Sequence, residues 1–188
     1  ITIMLLGLIF RGVAFEFRYK ALGKDKRFWY YAFHACSLTA AFFQGVMLGA
    51  FIQGFEIEGR SFVGGSFDWL TSFSMMTGLA VVFGYALLGS AWLIMKSTDN
   101  TQEWARKVAP YVLIYVGLFL SIVSLSMPFM QERIFDLWFS EPNIYYLSVL
   151  PALTGVLFVK TWFDLRSSRE CAPFIQIMGI FILSFLGL

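Results

Sequence analysis

Apolar residues in this chain come in long unbroken runs and do not alternate with polar ones. Six runs stand out, at about 1–17, 29–53, 69–95, 108–130, 143–163 and 172–188. Each approaches the ~20 residues that an α-helix needs to cross the hydrocarbon core of a bilayer. A membrane strand would be shorter and would alternate lipid-facing and lumen-facing positions. The pattern therefore predicts an all-α fold, a polytopic transmembrane helical bundle with about six membrane helices, forming one transmembrane domain over residues 1–188. Both ends fall inside apolar runs, ITIMLLGLIF and GIFILSFLGL, and the first residue is Ile. No signal peptide with a basic n-region precedes the first run. The expectation is a fragment of a longer chain, with its first and last helices incomplete.

The polar stretches between the runs differ in charge. The first holds Arg18, Lys20, Lys24, Lys26 and Arg27, the third Lys96, Arg106 and Lys107, and the fifth Lys160, Arg166 and Arg169. The second and fourth hold only Arg60 and Arg133, so eleven basic residues face two in strict alternation. Cytoplasmic loops carry the excess of Lys and Arg. The loops at about 18–28, 96–107 and 164–171 are therefore expected in the cytoplasm, with residue 1 on the outer side. The outer loops, EIEGRSFVGGSFDW (56–69) and QERIFDLWFSEPN (131–143), are acidic, and their Trp69 and Trp138 suit the membrane interface.

Composition agrees with this reading. Only 14% of residues are charged and the mean hydropathy is +0.72, where a soluble domain carries about a quarter charged residues. The net charge of +2 and the lack of a basic run give no nucleic-acid partner. Cys36 and Cys171 lie far apart without C-x-x-C spacing, and read as two unrelated small apolar residues rather than a bridge or metal site. No phosphate loop, nucleophile elbow, H-E-x-x-H or dinucleotide fingerprint is present. Gly45 and Gly49 form G-x-x-x-G with Ala41 one turn earlier, and Gly78, Gly84 and Gly89 mark the third run. Small residues of this kind let helix backbones approach closely in lipid. Pro151 is expected to kink the fifth helix and Pro128 to end or bend the fourth.

The chemistry concentrates in LIFRGVAFEFRYK, residues 8–20. Arg18 and Lys20 sit at a helix end, where long side chains snorkel to the interface. Arg11 lies one pair of turns earlier, roughly 10 Å deeper. A charge at that depth costs several kcal/mol unless it is answered, and marks a functional-site candidate. Glu16 is no obvious answer, since five residues carry it about 140° around the helix from Arg11. Asp68, Asp99 and Asp164 read as belonging to helix ends or loops. Arg11 therefore has two readings. Either its counter-charge lies outside this chain, on another helix, another subunit, a lipid phosphate or a cofactor acid, or it snorkels to the inner interface. His34 is the sole histidine and has no second ligand at useful spacing, so it reads as an interfacial imidazole. Gln44 and Gln53 could bond across helices or touch a quinone ring, and packing is the plainer role.

These residues also carry a resemblance. LIFRGVAFEFRYK resembles the R-x-V-x-F-[DE]-[FY]-R segment that ends the third helix of subunit II of cytochrome bd-type quinol oxidases. VMLGAFIQGFEI (46–57) looks like the G-x-x-x-Q-G stretch closing its fourth helix, and SFDWLTSFSMMTGLAVVFGYALLGSAWLIMK (66–96) is similar to its fifth. Beyond about residue 110 the likeness rests on hydropathy and spacing. That subunit has eight helices, so the resemblance implies that this chain runs from the third to the eighth. The first two, with their acidic residues and a W-D-G-N-Q-V-W-type motif linked to proton uptake, would be missing.

The resemblance further implies an enzyme of the bacterial cytoplasmic membrane that oxidises quinol and reduces dioxygen to water, contributing to the proton-motive force. Its partner, subunit I, would hold haem b and haem d (or b) and the quinol loop. Subunit II would bind no haem or metal, although some members hold a quinone, and would serve haem-centre assembly and proton delivery. Membrane lipid and quinol complete the expected partners. The residues carried over are Arg11, Glu16 and Arg18, as buried charge, proton path or subunit contact; none is carried over as catalytic, cofactor-binding or metal-binding. Two other classes compete. One is a fragment of a secondary transporter with Arg11 binding an anionic substrate, although transporters show paired breaks in inverted halves and no such repeat is visible. The other is a purely structural membrane scaffold.

Overall fold

With no water in hydrocarbon to take up backbone N–H and C=O groups, an apolar run must satisfy them within itself, and a helix does so. The computed structural model describes residues 1–21, 24–54, 57–58, 61–62, 64–65, 67–130, 145, 147–167 and 170–186. Among the described residues the helices are α1 (Thr2–Lys20), α2 (Lys24–Gln53), α3 (Ser72–Lys96), α4 (Asp99–Met130), α5 (Val149–Arg166) and α6 (Ala172–Leu186). Among the described residues the only strands are β1 (Ile57–Glu58) and β2 (Ser61–Phe62). They pair antiparallel, with Ile57 opposite Phe62 and Glu58 opposite Ser61. The all-α helical bundle expected from the sequence is what the structure shows, and this two-residue ribbon lies within a stretch expected as an outer loop. The other outer loop, 131–143 with Arg133 and Trp138, lies outside the described residues, as do Arg60 and Arg169.

Asp25–Gln53, Ser72–Lys96 and Asp99–Ser126 are long and apolar enough to cross a membrane by length and composition. The shorter α6 is also apolar. α1 and α5 carry more charge: Arg11, Glu16, Arg18 and Lys20 on one, Lys160, Asp164 and Arg166 on the other. The apolar runs and the helices differ at their starts for a physical reason. A run measures the crossing of hydrocarbon, whereas a helix continues into the polar layer as long as its residues favour it. Thus α4 begins at Asp99, ahead of its apolar run, and its 32 residues span about 48 Å. Pro151 does not interrupt α5. That helix begins at Val149, so Pro151 lies in the first turn, where no backbone N–H is needed for an intrahelical bond. α4 is helical through Met130, so Pro128 sits inside its last turn and not at its end.

Two compact units emerge, Ile1–Val82 and Phe83–Leu188. In the first, α1 lies against α2. Gly7 is buried there, and a Cβ on it would come within 3.2 Å of Cys36 O and 3.4 Å of Ala40 N. Ala14 is fully buried, and the rings of Phe17 and Trp29 stack at 4.9 Å. α2 meets the first half of α3 through its glycines. A Cβ on Gly45 would lie 2.6 Å from Thr77 O and 2.7 Å from Gly78 Cα, and one on Gly49 would collide with the Thr77 hydroxyl. Gly78 answers from α3, with Phe42 and Val46 pressed over it. The sequence motif is thus a real backbone-to-backbone contact.

The entry to α3 is held by a reciprocal cap. Thr71 Oγ1 accepts from Ser74 N at 3.1 Å, while Thr71 N donates to Ser74 Oγ at 3.0 Å. Ser74 Oγ donates onward to Trp69 O at 2.7 Å. Thr71 Oγ1 also donates to Gln53 Oε1 at the end of α2. Gln53 therefore bonds across helices, one of the two roles open to it. Ser and Thr at such positions satisfy orphan donors that lipid could not.

The second unit has its own core. Leu87, Ala91 and Ile94 of α3, Ala105, Ala109, Leu113 and Val116 of α4, Leu165 of α5 and Ile177 of α6 form one buried cluster. Three alanines belong to this cluster, and the ring of Phe83 on α3 stacks with Tyr115 and Phe119 of α4 at 5.2 and 5.5 Å. Replacing Gly49 by Leu forces bulk into the α2–α3 contact. It is expected to destabilise the detergent-solubilised protein by about 1–3 kcal/mol, read by unfolding in mixed detergent. Gly155→Ala, where nothing lies within 4 Å of the new Cβ, should instead be neutral or gain up to about 1 kcal/mol.

Candidate functional site

The motif 8–20 occupies the second half of α1. At about 100° per residue Arg11 and Arg18 share a face, and Glu16 faces another way. Arg11 is exposed on the surface of this chain, and its guanidinium carbon lies 5.8 Å from the centre of the Phe33 ring on α2. Among the described residues no carboxylate reaches it. Glu16 instead pairs with Lys20, one turn on, at 3.4 Å. Both side chains are more than 70% exposed (78% and 72%), so the pair contributes a few tenths of a kcal/mol at most. Arg18 is half-buried. The three charged positions are therefore placed along one helix without forming a cluster.

Aromatic rings surround this end of α1 and α2. Phe15 and Phe33 approach to 6.3 Å, and Tyr30 and His34 to 4.3 Å. His34 Nδ1 lies 2.7 Å from Tyr30 O. A carbonyl can only accept, so Nδ1 carries the hydrogen of this bond. His34 is tied to its own helix and has no second ligand beside it. Among the described residues no group of three or more His, Cys, Asp and Glu side chains comes together. Gln44 is exposed on α2.

A second polar site was not legible as one in the sequence. Asp164 belongs to the last turn of α5, as its place in the chain suggested, but it is buried, with 8% exposure. Its Oδ2 accepts from Gln176 Nε2 of α6 at 2.6 Å, and Gln176 is equally buried. Nearby loops are tied down in the same unit. Arg106 Nη1 of α4 donates to Ser167 O at 2.6 Å. Gln102 Nε2 donates to Ile94 O at 2.8 Å and to Glu170 Oε1 at 3.1 Å. The available signal was Gln176, the sole amide in the apolar helix APFIQIMGIFILSFL. An amide in such a helix needs a hydrogen-bonding partner, and a carboxylate stands at the end of the preceding one.

Comparison with known proteins agrees with these features. The family model described as cytochrome bd terminal oxidase subunit II matches residues 1–188. A Haemophilus influenzae protein named probable cytochrome oxidase subunit 2 is similar, with 27% identity over 115 residues, 58% of this chain and 30% of that protein. The chain thus matches less than a third of that relative's length.

Proposed function

The chain belongs to the cytochrome bd terminal oxidase subunit II family, and from that premise we propose that it serves as the haem-free subunit of a membrane quinol oxidase. It is a multi-pass membrane protein, with apolar helices long enough to span. In the proposed complex a second subunit carries haem b and haem d (or b) and oxidises quinol, and dioxygen is reduced to water there. This chain supports assembly of those centres and the supply of protons to them. Residues 1–188 are taken in this proposal as a transmembrane domain of the plasma membrane of a bacterium. The observation that carries the reading is the family match over the whole chain; the motif around Arg11 supports it. Nothing in the helices favours the transporter alternative.

Arg11 is the residue proposed to matter most. A guanidinium projecting from a membrane helix, met among the described residues by the Phe33 ring and no carboxylate, calls for an anion from outside the chain. Arg18 lies on the same face and extends the charged edge that such a partner would meet, while Glu16 faces another way and serves Lys20. Cation–π contact with Phe33 contributes about 0.5–1 kcal/mol at an exposed site. That offsets only part of the cost of carrying the charge into lipid.

In the complete complex, Arg11→Leu is expected to lower quinol-driven oxygen consumption by about tenfold or more, as loss of one partner of a buried pair does, with Arg11→Lys falling less. Unchanged consumption and unchanged haem spectra in Arg11→Leu would remove Arg11 from the account. Orientation is tested through Cys171, which is free and exposed between α5 and α6. A membrane-impermeant maleimide should label it in inverted vesicles and not in intact spheroplasts, in a background where Cys36 is Ser. Labelling from the outside alone would reverse the proposed topology.

A further inference from the structure

Buried ionisable groups in membrane helices are uncommon and costly, and each needs a reason. Asp164 and Gln176 are both more than nine-tenths buried, at 8% exposure each, and are bonded to one another at 2.6 Å. A clasp that served only to join α5 to α6 would leave no polar atom over. Here Gln176 Oε1 is buried, and among the described residues no donor meets it. An unanswered buried acceptor costs about 1–3 kcal/mol. Oε1 is therefore an open hydrogen-bonding position beside a carboxylate, in the last turn of a helix whose end bears Arg166.

We propose that the Asp164–Gln176 pair is a proton-holding site at the cytoplasmic end of α5 and α6, with Oε1 receiving a water that connects it to the cytoplasm. The proposal rests on the reading of this chain as an oxidase subunit, and adds a site apart from Arg11. The chemistry of the pair suits two protonation states. With Asp164 ionised, the amide N–H donates to Oδ2, as seen. With Asp164 protonated, its O–H can donate to Oε1 once the amide turns over, because an amide offers both a donor and an acceptor end. The proton arrives from a hydronium ion, leaving water, and departs to the next acceptor toward the oxygen-reducing centre, restoring the carboxylate. No other bond is made or broken.

Among the described residues, the charged groups in the same unit near this end of α5 include Arg106 of α4, which donates to Ser167 O, and Glu170, which accepts from Gln102. On α5 itself stand Lys160, which is exposed, and Arg166, whose guanidinium lies over the Trp162 ring at 4.3 Å.

The test uses the complete oxidase with D164N, D164E and the unsubstituted chain. D164N keeps an acceptor for Gln176 Nε2 and nearly the same shape, but cannot hold a proton. The expected result is an unchanged haem spectrum and oxygen consumption about tenfold lower, with the loss growing as pH rises and hydronium becomes scarcer. D164E should recover most of the activity. Two results overturn the proposal: D164N with unchanged oxygen consumption and pH profile, or D164N losing haem together with activity, which would make the pair a clasp only. The haem content of the unsubstituted complex tests the underlying reading by itself. Its absence overturns both, whereas haem-replete D164N with full activity overturns this site alone.

Discussion

Hydrocarbon offers a polar group nothing to bond to, and the structure follows from that constraint. Along a membrane-crossing helix the backbone N–H and C=O groups pair with one another. Where a helix starts, the orphan donors need side chains, and α3 supplies them with the Thr71–Ser74 cap, steadied from α2 by Gln53. Where polar side chains fall inside helices, they return to the chain: Ser37, Thr39, Thr77 and Thr161 each donate to a carbonyl one turn back. Solvent would make most of these bonds superfluous. Lipid makes them the condition for placing Ser and Thr there at all.

The same constraint explains how the helices meet. Apolar side chains gain little by leaving lipid for one another, so association depends on close contact and on complementary surfaces. In the first unit that contact is made by Gly45, Gly49 and Gly78, with the α2 and α3 backbones nearly touching. The second has a buried cluster that includes Ala91, Ala105 and Ala109 with Leu113 and Ile177. Large side chains such as Leu5, Phe10, Leu118 and Phe163 are left facing outward. That is an unfavourable arrangement in water and an ordinary one against acyl chains.

Much of this was legible in the chain because hydropathy reports the environment directly. The six runs located six helices, and G-x-x-x-G located the α2–α3 contact. Ends were less legible, since α2 and α4 extend into polar sequence that hydropathy does not count, and Pro151 looked like a kink until the start of α5 placed it in the first turn. The short β1–β2 ribbon left no periodic signal over two residues a strand. Asp164 was harder still. Its position near a helix end suggested exposure, and only the folding of α6 over it, bringing Gln176 to 2.6 Å, shows that it is buried. The charge on Arg11 was conspicuous from the start, because a single Arg in an apolar run breaks the pattern that defines the run.

Arg11 is also where, among the described residues, the constraint is left unmet. Glu16 has turned to Lys20, and Phe33 offers a ring face and no charge. The central claim is that an acid outside the chain completes the pair and that this junction ties the subunit into a larger respiratory complex. A high-resolution structure of the complete complex in lipid tests this most directly. The account predicts a carboxylate or phosphate oxygen, from another helix, the partner subunit or a bound lipid, within about 4 Å of the Arg11 guanidinium. A guanidinium that extends into bulk water, with no acid near it, would contradict it.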